Sequence, residues 1–235
     1  MSTRAGAADR GSSSSDEHMS VARIVVRPIG TPLPLGFLGL LVATVTFSAL
    51  QLHWLPPEQG RVVALGVLAF TVPVQLLASV YGFLARDPVA GTGMGVLAGT
   101  WGAAGLVTYT SPPGTASAGL GALFLAAALA MLVPTAAAGA KLAAGVVMGL
   151  SALRFALTGV AEVTGDPTWF TVAGITGLVL AAAALYAALG FELEDANHRT
   201  VLPVLRRGAG SDVMTGSVDE ELRDISHEAG VRKQL

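Results

Sequence analysis

Between Asp87 and Lys141 the chain carries no Asp, Glu, Lys or Arg. A helix needs about 20 apolar residues to cross a bilayer, so this stretch is too long for one crossing. Ser111-Pro112-Pro113-Gly114 is a strong helix breaker, and it divides the stretch into spans over residues 90–110 and 115–137. The same reasoning places spans at residues 35–55, 61–85, 142–162 and 168–190. Composition agrees: 13% of residues are charged, against about 25% in soluble domains, and 52% are hydrophobic. The sequence therefore predicts an all-α integral membrane protein, a six-transmembrane-helix bundle over residues 29–205. Residues 1–28 and 206–235 are read as tails.

Six crossings put both tails on one side. Arg23, Arg27, Arg86, Lys141, Arg199, Arg206 and Arg207 fall on that side, while Arg61 is the cation of the opposite loops, beside Glu58, Glu162 and Asp166. The positive-inside rule then predicts both termini in the cytoplasm and a plasma-membrane location. Residues 1–20 are rich in Ser, Gly and Ala and lack an apolar core, so they read as a disordered tail and not a signal peptide. Ser217-Val218-Asp219-Glu220 is a capping box, and Val218, Leu222, Ile225 and Ala229 recur at helical spacing. They predict a short amphipathic cytoplasmic helix.

The chain has no cysteine, which excludes disulfides, thiolate metal sites and cysteine nucleophiles. Its four histidines have no ligand spacing, and a net charge of −2 gives no reason to expect nucleic acid. There is no Ser/His/Asp set, no paired carboxylate within a span and no phosphate loop. The expectation is a protein that is not an enzyme and carries neither metal nor cofactor.

Two features inside the spans bear on function. Pro73 removes a backbone hydrogen bond from span two and frees the carbonyl of Ala69, with the polar Gln75 half a turn on. Arg154 lies near the middle of span five, where a cation costs about 2.5–3.5 kcal/mol on insertion scales. It either snorkels or bonds backbone carbonyls freed by a kink, or it draws an anion through an aqueous pathway. A guanidinium suits a carboxylate because it offers paired donors in one plane. Gly91, Gly95, Gly99 and Ala103 form a small-residue ridge on span three that predicts close helix contact.

The opening stretch Thr31-Pro32-Leu33-Pro34-Leu35-Gly36 resembles the Asn-Pro-Ala-Pro-Leu-Gly signature of the acetate uptake transporter family, the succinate–acetate permeases. Its prolines suggest a rigid, extended lead into span one. Near the other end, Leu185-Tyr186-Ala187-Ala188-Leu189-Gly190 and Arg199-Thr200-Val201-Leu202-Pro203 resemble that family's closing motif. The resemblance covers roughly residues 28–205. It implies a homo-oligomer, a hexamer, in which each protomer moves acetate and related monocarboxylates, sometimes succinate, with protons. Thr31, Pro32, Pro34, Gly36, Gln75 and Arg154 are then candidates for the substrate pathway, and Gln75 matches a family glutamine. The family's constriction would fall to Leu40, Trp101 and Leu150 from spans one, three and five. Three departures bear on the substrate more than on the fold: Thr31 stands for an asparagine, Glu194 for another, and the stretch after span two is Gly/Ala-rich. Two rival readings remain: a passive anion channel of the same fold, and a non-transporting membrane protein whose tail binds a partner.

Overall fold

A computed structural model describes residues 30–197 and 199–207. The N-terminal tail and the capping-box helix lie outside the described residues. Six helical spans follow in order: α1 Leu33–Gln51, α2 Pro57–Leu84, α3 Pro88–Thr110, α4 Ala118–Ala137, α5 Leu142–Thr164 and α6 Pro167–Asn197. Local chemistry sets several ends. Asp87 caps α3 by accepting from Ala90 N at 3.1 Å, and Ser117 caps α4 by accepting from Leu120 N. Pro88 and Pro167 open their helices, where a missing N–H costs nothing. Gly165, at φ 66°, ends α5 in the left-handed region.

Each helix packs against its neighbours in sequence, and α6 closes the ring against α1. Polarity in this ring is the reverse of a soluble protein's. Leu76, Phe83, Leu129, Val133 and Ile175 stand exposed on the outside, while Thr71, Gln75, Thr100, Ser151 and Arg154 are buried within. Water would penalise that outer surface and hydrocarbon would not. Five spans are long and apolar enough to cross a membrane. The sixth, α3, has 23 residues and no charge, but its glycines and threonines lower its apolarity. The fold is a multi-pass helical membrane bundle.

The structure departs from the sequence reading in two places, at the start of α1 and the end of α6, and shows how Pro73 is accommodated between them. Pro32 has helical dihedrals (φ −80°, ψ −10°) and its carbonyl accepts from Gly36 N, so the lead-in is a helical first turn and not an extended strand. Both Pro32 and Pro34 sit where α1 has no intrahelical donors to lose. Pro73 is absorbed by a π-helical turn at Val67–Thr71. That turn brings Thr71 Oγ1 to the Gly39 carbonyl (3.0 Å) and Gln75 Nε2 to the Gly36 carbonyl (3.4 Å), clamping α2 onto α1. Finally, α6 runs well past Gly190, to Asn197. Its last turns are held by residues 199–207, which fold back across the end of the bundle. Val204 packs on Gly190, and the Val204 and Leu205 carbonyls accept from the first N–H groups of α5, Ala143 and Leu142. Arg206 pairs with the buried Glu194 at 2.7 Å, and Lys141 pairs with Asp87 at 2.6 Å.

The small-residue ridge of α3 serves helix contact at two of its positions. Gly91 lies against Phe83 and Gly95 against Ser79, while a methyl group at Gly99 would meet nothing within 4 Å. Another close crossing, unread in the sequence, joins α4 to α5. A Cβ on either Gly121 or Gly159 would fall within 2.9 Å of the other's carbonyl oxygen.

Candidate functional site: a vestibule with a buried arginine

The end of the ring opposite the 199–207 strap contains a recess of about 280 Å³. Its rim comes from the connections after α1, α3 and α5, including His53, Pro112, Gly114 and Gly165, together with Arg61 from the start of α2. Its floor is aromatic. Trp101 of α3 packs tilted, 5.3 Å between ring centres, against Phe47 of α1 and edge-on at 5.8 Å to Phe155 of α5, which meets Phe124 of α4 at 5.4 Å. Four helices thus each contribute one ring to a plug. Beyond it, Leu40, Met94, Leu97 and Met148 have no exposed surface, so the bundle is closed at this level.

One wall carries a polar stripe. Arg154, Thr158 and Glu162 lie four residues apart on α5, which places them on one face, and all three line the recess. Glu162 Oε2 accepts from Ser117 N at 2.8 Å, tying the end of α5 to the start of α4. Arg154 lies deeper, about 12 Å along the helix from Glu162. It is 1% exposed. Its Nη1 donates to Gln51 Oε1 at 2.9 Å and to the Ala173 carbonyl of α6 at 2.6 Å. Its Nε has no acceptor. A buried donor left unpaired costs about 1–3 kcal/mol, and more when charged. No carboxylate pairs with this arginine among the described residues; its partners are an amide and a backbone carbonyl. Room for it exists because Gly177 lacks a side chain: a Cβ there would lie 2.7 Å from Arg154 Cζ and against Ser48 Oγ.

Of the candidate residues read from sequence, Arg154 and Trp101 line the recess. Leu40 is fully buried in the core, and Leu150 is half-buried against it, one turn below Arg154. Thr31, Pro32, Pro34 and Gly36 lie at the far end of α1, with Gly36 pressed against Met94. Gln75 is buried between α1 and α2, where its amide nitrogen is already used and its Oε1 has no partner. The structure adds Gln51, Phe47, Phe124, Phe155 and Thr158 to the recess. Gln51 had a visible signal, an amide near the end of an otherwise apolar span. The phenylalanines had none, since an apolar helix displays them on every face.

Fold and site together define a class, a multi-pass membrane bundle whose mainly apolar recess carries one polar stripe and ends on an aromatic plug. Among solved structures the chain is similar to the one described as the structure of the bacterial acetate channel SatP. The TM-score is 0.66 at 21% identity, over 75% of this chain and 99% of that chain. The resemblance read from the opening and closing motifs is thereby borne out at the level of fold. No protein-family profile and no curated protein sequence matches the chain.

Proposed function

We propose that this chain belongs to the acetate uptake transporter family and moves small monocarboxylates across the membrane, acetate foremost and succinate as a further substrate. The observation that carries this reading is the buried, carboxylate-free Arg154 at the base of a recess, in a fold shared with an acetate channel. In this proposal Leu40, Trp101 and Leu150 form the constriction. Thr31, Pro32, Pro34, Gly36 and Gln75 serve the pathway at the other mouth. The protein works as a homo-oligomer, a hexamer, in the plasma membrane with both termini cytoplasmic, and it is not an enzyme. Uptake is coupled to protons. A second reading, a passive anion channel, is supported by the neighbour's being a channel.

The test is uptake of labelled acetate by purified protein in liposomes, with and without an inward proton gradient, beside empty liposomes because acetic acid crosses bilayers unaided. Protein-dependent, saturable uptake that follows the gradient is expected. Protein-dependent flux indifferent to the gradient selects the channel. No protein-dependent flux overturns the transport reading.

A further inference from the structure

We propose that Arg154 is the base of a resident carboxylate-binding subsite. The Nε–H and Nη2–H edge of its guanidinium receives both oxygens of a monocarboxylate from the vestibule, and the Ser48 hydroxyl supplies a further donor. This rests on the transport reading for its choice of acetate as ligand, and otherwise on geometry.

A guanidinium has five N–H donors, and the parallel pair on Nε and Nη2 matches the spacing of a carboxylate. Both hydrogen bonds that Arg154 makes leave from Nη1. The edge built for bidentate binding is the one the protein leaves unused, and its Nε–H is buried without an acceptor. Ser48 Oγ is a second buried polar atom without a partner. It lies against the same face of Gly177 as the guanidinium does. Ser48 Oγ of α1 and the guanidinium of α5, each with a buried polar atom left unpaired, thus share the space beside Gly177, where the nearest atoms of Arg154 are Cζ and Nη1. Both residues are buried, and Arg154 itself lines the recess, so the subsite lies just behind the vestibule wall. The ligand is a planar anion with two acceptor oxygens; a halide fills one donor position and leaves the other open.

Thermal unfolding of the detergent-purified full chain is measured in sodium acetate against sodium chloride at equal ionic strength. Wild type, R154K and S48A are compared, and acetate uptake is followed in parallel in liposomes. Acetate raises the wild-type Tm and chloride does not. R154K keeps the charge but loses the planar pair, and it needs about tenfold more acetate for the same rise, the loss of one charge-assisted hydrogen bond. S48A, a small change inside a helix, needs a few-fold more. Equal responses to acetate in all three proteins, or equal responses to acetate and chloride, overturn the subsite. The two proposals fail separately. Uptake with unchanged half-saturation in both variants keeps transport and removes the subsite. Arg154-dependent stabilisation by acetate without uptake keeps the subsite and removes transport.

Discussion

Gly177→Ala tests the account of how Arg154 is housed. An added Cβ would lie 2.7 Å from both Cζ and Nη1 of Arg154, where ordinary contact begins at 3.4 Å, and it would also overlap Ser48 Oγ. The guanidinium must move by about 0.7 Å, enough to carry the 2.9 Å bond out of hydrogen-bonding range and to stretch the 2.6 Å bond to its limit. Losing one or both costs about 1.5–3 kcal/mol each, and overpacking adds about 1–3 kcal/mol. A net loss of about 3 kcal/mol corresponds to a fall in Tm on the order of 6–12 °C for a chain of this size. Gly99→Ala is the matched control: it lies in α3, where a Cβ meets nothing within 4 Å, and the better helix propensity of alanine favours it by up to about 1 kcal/mol. Melting of both proteins by intrinsic fluorescence gives the comparison. If Gly177→Ala melts with wild type, the guanidinium has free space around it, and the reasoning about its confinement is wrong.

Arg206→Ala strips its partner from Glu194, a carboxylate only 4% exposed, and should destabilise by about 3–5 kcal/mol in a thermal melt, with Glu194→Gln recovering part of the loss in the double variant. Trp101→Ala removes the central ring of the plug; it should lower stability by about 3–5 kcal/mol and raise gradient-independent acetate leak in liposomes, and an unchanged leak would show that the plug is not the barrier. Removing residues 208–235, beyond the strap that caps α5, should leave acetate uptake intact; loss of flux in well-inserted protein would give the tail a part in transport.

The arrangement of spans was legible because membrane length and charge-free runs are properties of the one-dimensional chain. Residues 90–110 and 142–162 correspond to Pro88–Thr110 and Leu142–Thr164, and the break at Ser111–Gly114 falls between helices. Arg154 was legible as a buried cation because nothing apolar substitutes for a charge. The inward face of each span was not. A soluble helix announces its buried side by an apolar stripe, but these helices meet lipid on one side and neighbours on the other and are apolar all round. Phe47, Phe124 and Phe155 therefore look like lipid-facing residues until the ring is closed. The end of α6 was misplaced for a related reason. The charges at Glu192, Glu194 and Asp195 follow directly on the span placed at residues 168–190, yet Glu194 is buried, because Arg206 returns from twelve residues on to neutralise it. No local pattern encodes that pairing.

Arg154 and Glu194, the two charged side chains buried among the described residues, are met by different kinds of partner. Glu194 is met by a guanidinium, so its charge is compensated and it serves to fasten the strap. Arg154 is met by Gln51 and a backbone carbonyl, both uncharged. These orient the guanidinium and satisfy Nη1, but they leave a net positive charge at the base of the recess. A carboxylate at position 51 would satisfy the same geometry and hold the charge better, since the attraction of opposite charges at 4 Å is about 4 kcal/mol even at an effective dielectric of 20. It would also fill the role that a substrate anion is proposed to take. Stability alone would favour Glu over Gln beside a buried arginine. The amide is the residue that fixes the cation in place and keeps it available, and Gln51→Glu should for that reason give a more stable bundle that no longer answers to acetate.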